Sequence, residues 1–184
     1  MGKKKKDNEE GSLFREIMDY VVTIVVVVGI MLLLQNFVII NAQIPSASME
    51  NTVMTGDRIF GNRLAFVNSK PQRFDVVIFK FPDDESKLYI KRIIGLPGET
   101  VDVVDGKVYI DGAAEPLDDS FCPETPNGNY DGHWVVDENG YFMMGDNRND
   151  SWDSRCWTNT CVQRDKILGE ALMRYWPLNK MKIF

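Results

Sequence analysis

Hydrophobic positions follow two different patterns along this chain. From Val21 to Ile40 the sequence VVTIVVVVGIMLLLQNFVII is interrupted only by Thr23, Gly29, Gln35 and Asn36. A run of about twenty apolar residues is what a helix needs to cross roughly 30 Å of hydrocarbon. The pattern predicts a transmembrane anchor over 18–40, behind a basic tail over 1–17 that carries Lys3, Lys4, Lys5 and Lys6. Lysines on the N-terminal flank place the tail in the cytoplasm and everything after Ile40 on the far side of the cell membrane. A cleaved secretory leader is built from the same ingredients, but its apolar region is about 7 to 15 residues long, so the longer run here reads as a retained, single-pass anchor.

Past Ile40 the period changes to two. FDVVIFKF (Phe74 to Phe81) and KLYIKRIIGL (Lys87 to Leu96) are rich in β-branched and aromatic residues, which suit strands. VDVVDGKVYIDG sets Asp105-Gly106 between two alternating runs, a strong local hairpin signal. GYFMMG predicts a further strand before the polar loop DNRNDSWDSR. GEALMRYWPL contains helix formers, but its aromatic end and Pro177 favour a strand. The expected fold class is therefore mainly β: an antiparallel β-sheet domain over 41–184 behind one N-terminal transmembrane helix. Its roughly 140 residues suffice for a single core.

Charge changes the picture locally. Asp111, Glu115, Asp118, Asp119, Glu124, Asp131, Asp137 and Glu138 occur with no intervening Lys or Arg, so 111–139 reads as an acidic, solvated surface insertion. The net charge of -6 argues against a nucleic-acid partner, since phosphate binding needs a basic face. Cys122, Cys156 and Cys161 allow one disulfide, most simply Cys156 to Cys161, or three reduced thiols. With one histidine and no second cysteine pair, neither a metal nor another cofactor is expected.

The candidate chemistry lies just beyond the anchor, in QIPSASMENT (Gln43 to Thr52). A serine hydroxyl is a poor nucleophile until a base takes its proton. The one histidine, His133, stands in the acidic insertion between Gly132 and Trp134, a poor place for a catalytic base. Lysine is the other known partner, but at its ordinary pKa only about one amine in 2,500 is neutral at pH 7. A lysine base therefore needs a pKa lowered by roughly two units, about 3 kcal/mol of environment. In LYIKRIIGLPG, strand alternation sets Tyr89, Lys91 and Ile93 on one face, with Ile90 and Ile94 adjacent in sequence. Periodicity alone favours the plainer reading of Lys91 and Arg92 as edge-strand charges that discourage aggregation.

A resemblance favours the catalytic reading. IPSASM, TGDRIFGNR, RFDVVIFKFP, YIKRIIGLPGE and FMMGDNRNDSWDSR resemble, in order, the successive boxes of type I signal peptidases, from about Phe37 to Trp176. These are membrane-anchored serine proteases that remove signal peptides from exported preproteins. The resemblance implies Ser48 as nucleophile and Lys91 as general base, with the Ser46 hydroxyl and the Ser48 backbone N–H stabilising the oxyanion. It implies that Ser151 hydrogen-bonds the lysine amine, and that Asp146, Asp153 and Arg155 support the site through ion pairs. Arg92, beside the lysine, is taken with this supporting group. Ile44, Met49, Val53 and Ile90 would line pockets for small side chains. The implied partners are preprotein signal peptides with small residues before the cut, and membrane lipid.

Two departures stand out. Asn51 occupies a position where many members carry proline, and CWTNTC after Arg155 departs from the expected aromatic-glycine continuation. Two other functions suit parts of the sequence: a membrane-tethered β domain that binds peptides without cutting, and a Ser-Lys self-cleaving regulator.

Overall fold

The computed structural model describes residues 2–128 and 130–184, with side chains from residue 15 onward; Lys3 to Lys6 therefore lie outside the described side chains. The chain divides after Val38 into two compact units. The first is a single helix, α1 (Gly2–Phe37). Within it Arg15–Phe37, with mean hydropathy 2.7, is long and apolar enough to cross a membrane. α1 begins at Gly2 and so includes the described part of the tail expected over 1–17.

The anchor also ends sooner than hydropathy predicts. Ile39 and Ile40 leave the helix and open β1 (Ile39–Gln43), where Ile40 is buried opposite Gly61. An apolar count cannot tell a lipid-facing isoleucine from one that enters a protein core, and β-branched residues suit either.

The second unit continues with β2 (Arg58–Asn62), β3 (Val76–Phe81), β4 (Asp84–Gly95), β5 (Thr100–Val104), β6 (Lys107–Ile110), β7 (Gly132–Val135), β8 (Gly140–Met144), β9 (Cys161–Gln163), β10 (Ile167–Trp176) and β11 (Lys182–Ile183). The larger sheet runs β1-β2-β10-β3-β4-β8-β9, with β11 on β10; a smaller sheet runs β6-β5-β7. The ladders are antiparallel throughout.

Alternation along β3 sorts its side chains into two cores. Val77, Phe79 and Phe81 join Ile93, Tyr141, Met143 and Trp157 on one side. Val76 and Ile78 join Ile40, Ile44, Met49, Val53 and Ile59 on the other. A third cluster, including Val101, Val103, Val108 and Phe142, involves both sheets. The hairpin between β5 and β6 turns at Asp105 and Gly106 with φ of 51° and 72°, the paired left-handed geometry of a tight turn matched to strand twist. GEALMRYWPL contributes to β10, as its aromatic end suggested.

The acidic insertion is less detached than its charges imply. Its last part forms β7, paired with β5, while Leu117 and Phe121 pack against the third cluster and Asp119 pairs with Arg148 at 2.5 Å. The carboxylates dominate the composition, but these few apolar side chains settle where the segment lies. No disulfide forms: Cys122, Cys156 and Cys161 are all free. Cys161 is fixed in β9 beside Gly140, and Trp157, between the two candidate partners, is buried in the first core.

Candidate active site

The segment that carries Ser48, the expected nucleophile, is a single 3-10 turn, Ala47–Met49, entered from an extended Ser46. Met49 and Val53 hold it from beneath, and the Val53 N–H closes the bend by donating to the Met49 carbonyl at 2.8 Å. Both side chains are 0% exposed and belong to the core, and neither is among the residues lining the cleft described below. Packing the turn consumes their whole surface. Asn51 has φ of 83°, a left-handed conformation that proline, locked near −65°, cannot adopt. The departure at that position therefore accompanies a different local turn.

Lys91 comes from β4, opposite Val77. Its Nζ is in direct hydrogen-bond contact with Ser48 Oγ, although 43 residues separate them in sequence. Among the described residues, the flank of β4 over Leu88–Lys91 has no strand beside it, because pairing with β8 begins at Arg92. Lys91 is nevertheless only 3% exposed, so it is not a solvated edge charge. Burial pushes its pKa down to about 8; the Asp153 and Asp146 carboxylates oppose that shift and the Arg155 charge adds to it. Ser46 Oγ lies 3.4 Å from Ser48 Oγ, near the hydroxyl it is expected to assist.

Arg92 forms a fork onto Asp146, with Nε to Oδ1 at 2.8 Å and Nη2 to Oδ2 at 2.5 Å. Thr52 Oγ1 also donates to Asp146 at 2.5 Å, so this carboxylate ties the nucleophile turn to β4. The Phe121 ring covers the Arg92 guanidinium at 4.2 Å, which brings the acidic insertion to the back of the site.

The loop after β8 supplies the rest. Asp153, 0% exposed, accepts from Arg155 Nε and Nη2 at 2.8 Å each and from the Gly145 N–H at 3.0 Å. Burial alone would raise its carboxyl, but the Arg155 hydrogen bond and charge, with the Gly145 N–H, hold it below the usual carboxylate range. The buried Ser151 Oγ makes no hydrogen bond of ordinary geometry, the one the resemblance implies to the Lys91 amine included; it lies beside Asp153, whose carboxyl it helps hold low. It rests against Gly145, at which an added Cβ would lie 2.2 Å from Ser151 Oγ and 2.3 Å from the Ser48 carbonyl oxygen.

Asn147 donates through its backbone N–H to the Ser48 carbonyl and through Nδ2 to that of Ala47, both at 3.2 Å. Sequence reasoning assigned no role to Thr52, Gly145 or Asn147. For Gly145 and Asn147, GDN at the start of the loop was the available signal.

A cleft of about 530 Å³ joins these parts. Residues 41–48 form one wall and Leu88–Lys91 another, with Ile78, Asp150 and Trp152 completing the lining. Ile44 and Ile90 line it as expected. His133 is on β7, outside the lining, and pairs with Asp102 at 2.6 Å.

A serine hydroxyl against a buried amine, beside an apolar cleft in an antiparallel β domain, is the equipment of a serine peptidase whose base is lysine. Residues 17–176 match the family model described as "Signal peptidase, peptidase S26". The chain is 36% identical over 185 residues to "Probable signal peptidase I-2" of Synechocystis sp., covering 97% of this chain and 80% of that protein. It is 33% identical to "Signal peptidase I" of Pseudomonas fluorescens, covering 84% of this chain and 72% of that one. The chain belongs to the signal peptidase family, peptidase S26. A crystal structure of a signal peptidase I from Enterococcus faecalis V583 covers 55% of this chain and 97% of its own, at 34% identity and a TM-score of 0.45.

Proposed function

We propose that this protein is a membrane-anchored serine endopeptidase that cuts signal peptides from exported preproteins, with Ser48 as nucleophile and Lys91 as general base. The observation that carries the reading is the contact between Ser48 Oγ and a Lys91 amine whose pKa burial lowers to about 8.

The preprotein's cleavage region lies extended in the cleft. β1 ends the larger sheet and β4 has a free flank over Leu88–Lys91, so both walls offer unpaired backbone groups to an added strand. Small side chains at the first and third positions before the cut face the apolar lining that includes Ile44 and Ile90. Ser48 Oγ attacks the scissile carbonyl while its proton passes to Lys91 Nζ. The oxyanion is met by the Ser48 N–H and the Ser46 hydroxyl. The Lys91 ammonium then protonates the leaving amine as the C–N bond breaks. Water, deprotonated by Lys91, releases the acyl-enzyme and returns Ser48 to its hydroxyl form.

Arg92, Asp146, Asp153 and Arg155 keep the turn and strand in register. Arg15–Phe37 is the anchor, with the N-terminus cytoplasmic, residues 41–184 extracytoplasmic and membrane lipid as the surroundings of the helix.

The test is cleavage of a preprotein by the detergent-solubilised full chain. Wild type yields the mature product and Ser48→Ala does not. Equal cleavage by both proteins removes Ser48 from the mechanism. Binding without cleavage by wild type selects the non-catalytic peptide-binding alternative.

A further inference from the structure

We propose that Trp152 is a specificity-determining residue on the leaving side of the cleft, selecting a bulky apolar side chain immediately after the scissile bond. This rests on the peptidase reading above and adds a preference beyond the small residues before the cut.

Trp152 is 58% exposed, yet its neighbours are anchored: Ser151 is 3% exposed, and Asp153, at 0%, is fixed by Arg155 and Gly145. The backbone on both sides is held in the protein while the indole lines the same cleft as Ser48 and Lys91. Among the described residues, that indole stacks on no aromatic ring and makes no hydrogen bond. A lone exposed tryptophan is ordinary. An indole held beside a nucleophile presents apolar surface wherever a substrate chain passes it.

Its place along the cleft identifies which part of that chain it meets. The wall residues Asn41–Pro45, on and just after β1, and Leu88–Ile90, on β4, precede Ser48 and Lys91, so each wall runs in chain order toward the serine and the lysine. The Trp152 loop is tied in beside the Ser48 turn, where both walls finish. Gly145 abuts the Ser48 carbonyl, and Asn147 donates to the carbonyls of Ser48 and Ala47. A peptide whose residues before the cut fill the walled portion must send its residues after the cut past this loop. An aliphatic or aromatic side chain there removes its own apolar surface and part of the indole from water; glycine cannot.

The experiment uses two peptides identical through Ala-x-Ala before the cut, with leucine or glycine as the first residue after it. The full-length, detergent-solubilised wild type is expected to favour leucine in kcat/KM by roughly tenfold. Trp152→Ala should bring the ratio close to one while still cleaving the glycine peptide, and Trp152→Phe should keep an intermediate preference. Each ratio is taken within one preparation, so the fraction of folded enzyme cancels. An unchanged leucine preference in Trp152→Ala, or none in wild type, overturns the proposal. Failure of wild type to cut either peptide counts against the peptidase reading instead. The affinities of Ser48→Ala for the two peptides then test the subsite directly: tighter leucine binding that depends on Trp152 supports it, and equal affinities overturn it.

Discussion

Lys91 Nζ meets Ser48 Oγ in a pocket where the lysine is 3% exposed and its pKa falls to about 8. At pH 7 roughly a tenth of such amines are neutral, against about one in 2,500 at the ordinary value. The burial that would make Lys91 a usable base also makes it a burden on the fold, because its charged form is poorly solvated.

That burden gives a stability prediction with a defined sign. The folded-state pKa of Lys91 is about 8 and lies below the ordinary 10.5, so the folded protein binds this proton more weakly than the unfolded chain. The penalty is complete below about pH 8 and disappears as pH rises through the ordinary lysine value. Lys91→Met should therefore exceed wild type in stability at pH 6 by about 3 kcal/mol, with the gap narrowing above pH 8. Denaturant unfolding at several pH values is the check; a gap independent of pH would mean that Lys91 does not titrate as described.

The Arg92–Asp146 fork should matter chiefly to structure, because it joins β4 to the turn through Thr52. Asp146→Ala leaves a guanidinium with 12% exposure without its carboxylate and should cost about 3 kcal/mol. Asp146→Asn, which keeps an acceptor, should cost less. Chemical denaturation of the detergent-solubilised chain measures both, and an Asp146→Ala protein as stable as wild type would deny the fork its role.

The strands were legible because their patterns are local: FDVVIFKF is apolar and aromatic apart from Asp75 and Lys80, GYFMMG carries no charge, and Asp105-Gly106 marks its own turn. What escaped depends on partners distant in the chain. Met49 and Val53 have the composition of a pocket lining, and only the arrival of Ile59, Val76 and Ile78 turns them into core. Thr52 contributes through Asp146, 94 positions away, and Asn147 through Ala47, 100 positions away. Phe121 was hidden among carboxylates, although it covers Arg92. Periodicity could not separate a buried Lys91 from an edge lysine, since the strand is unpaired on that flank and the nucleophile turn packs beside it.

Gly145 has little freedom to change. An alanine Cβ would stand 2.3 Å from the Ser48 carbonyl oxygen, a backbone atom that cannot rotate away, so the nucleophile turn must shift. Gly145→Ala should lower kcat on an Ala-x-Ala peptide at least tenfold and cost about 2 kcal/mol of stability. Steady-state kinetics with a parallel melt decide; full activity would show that the contact with Ser48 is not constraining.

Ser46 is assigned to the oxyanion, and its Oγ stands 3.4 Å from that of Ser48. Ser46→Ala should reduce kcat by roughly 10² to 10³ with little change in KM, as expected when an interaction forms only in the transition state. Ser46→Thr retains the hydroxyl and should fall between the two. An Ser46→Ala enzyme with wild-type kcat would leave the oxyanion to backbone N–H groups.

Single-turnover acylation of the solubilised enzyme across pH 6 to 10 tests the Ser48–Lys91 pair most directly. Only neutral Lys91 can take the Ser48 proton, so the rate should climb with pH and level off around an apparent pKa of about 8, and Lys91→Ala should show no acylation at any pH. A flat profile, or a folded Lys91→Ala protein that still acylates, would contradict the account.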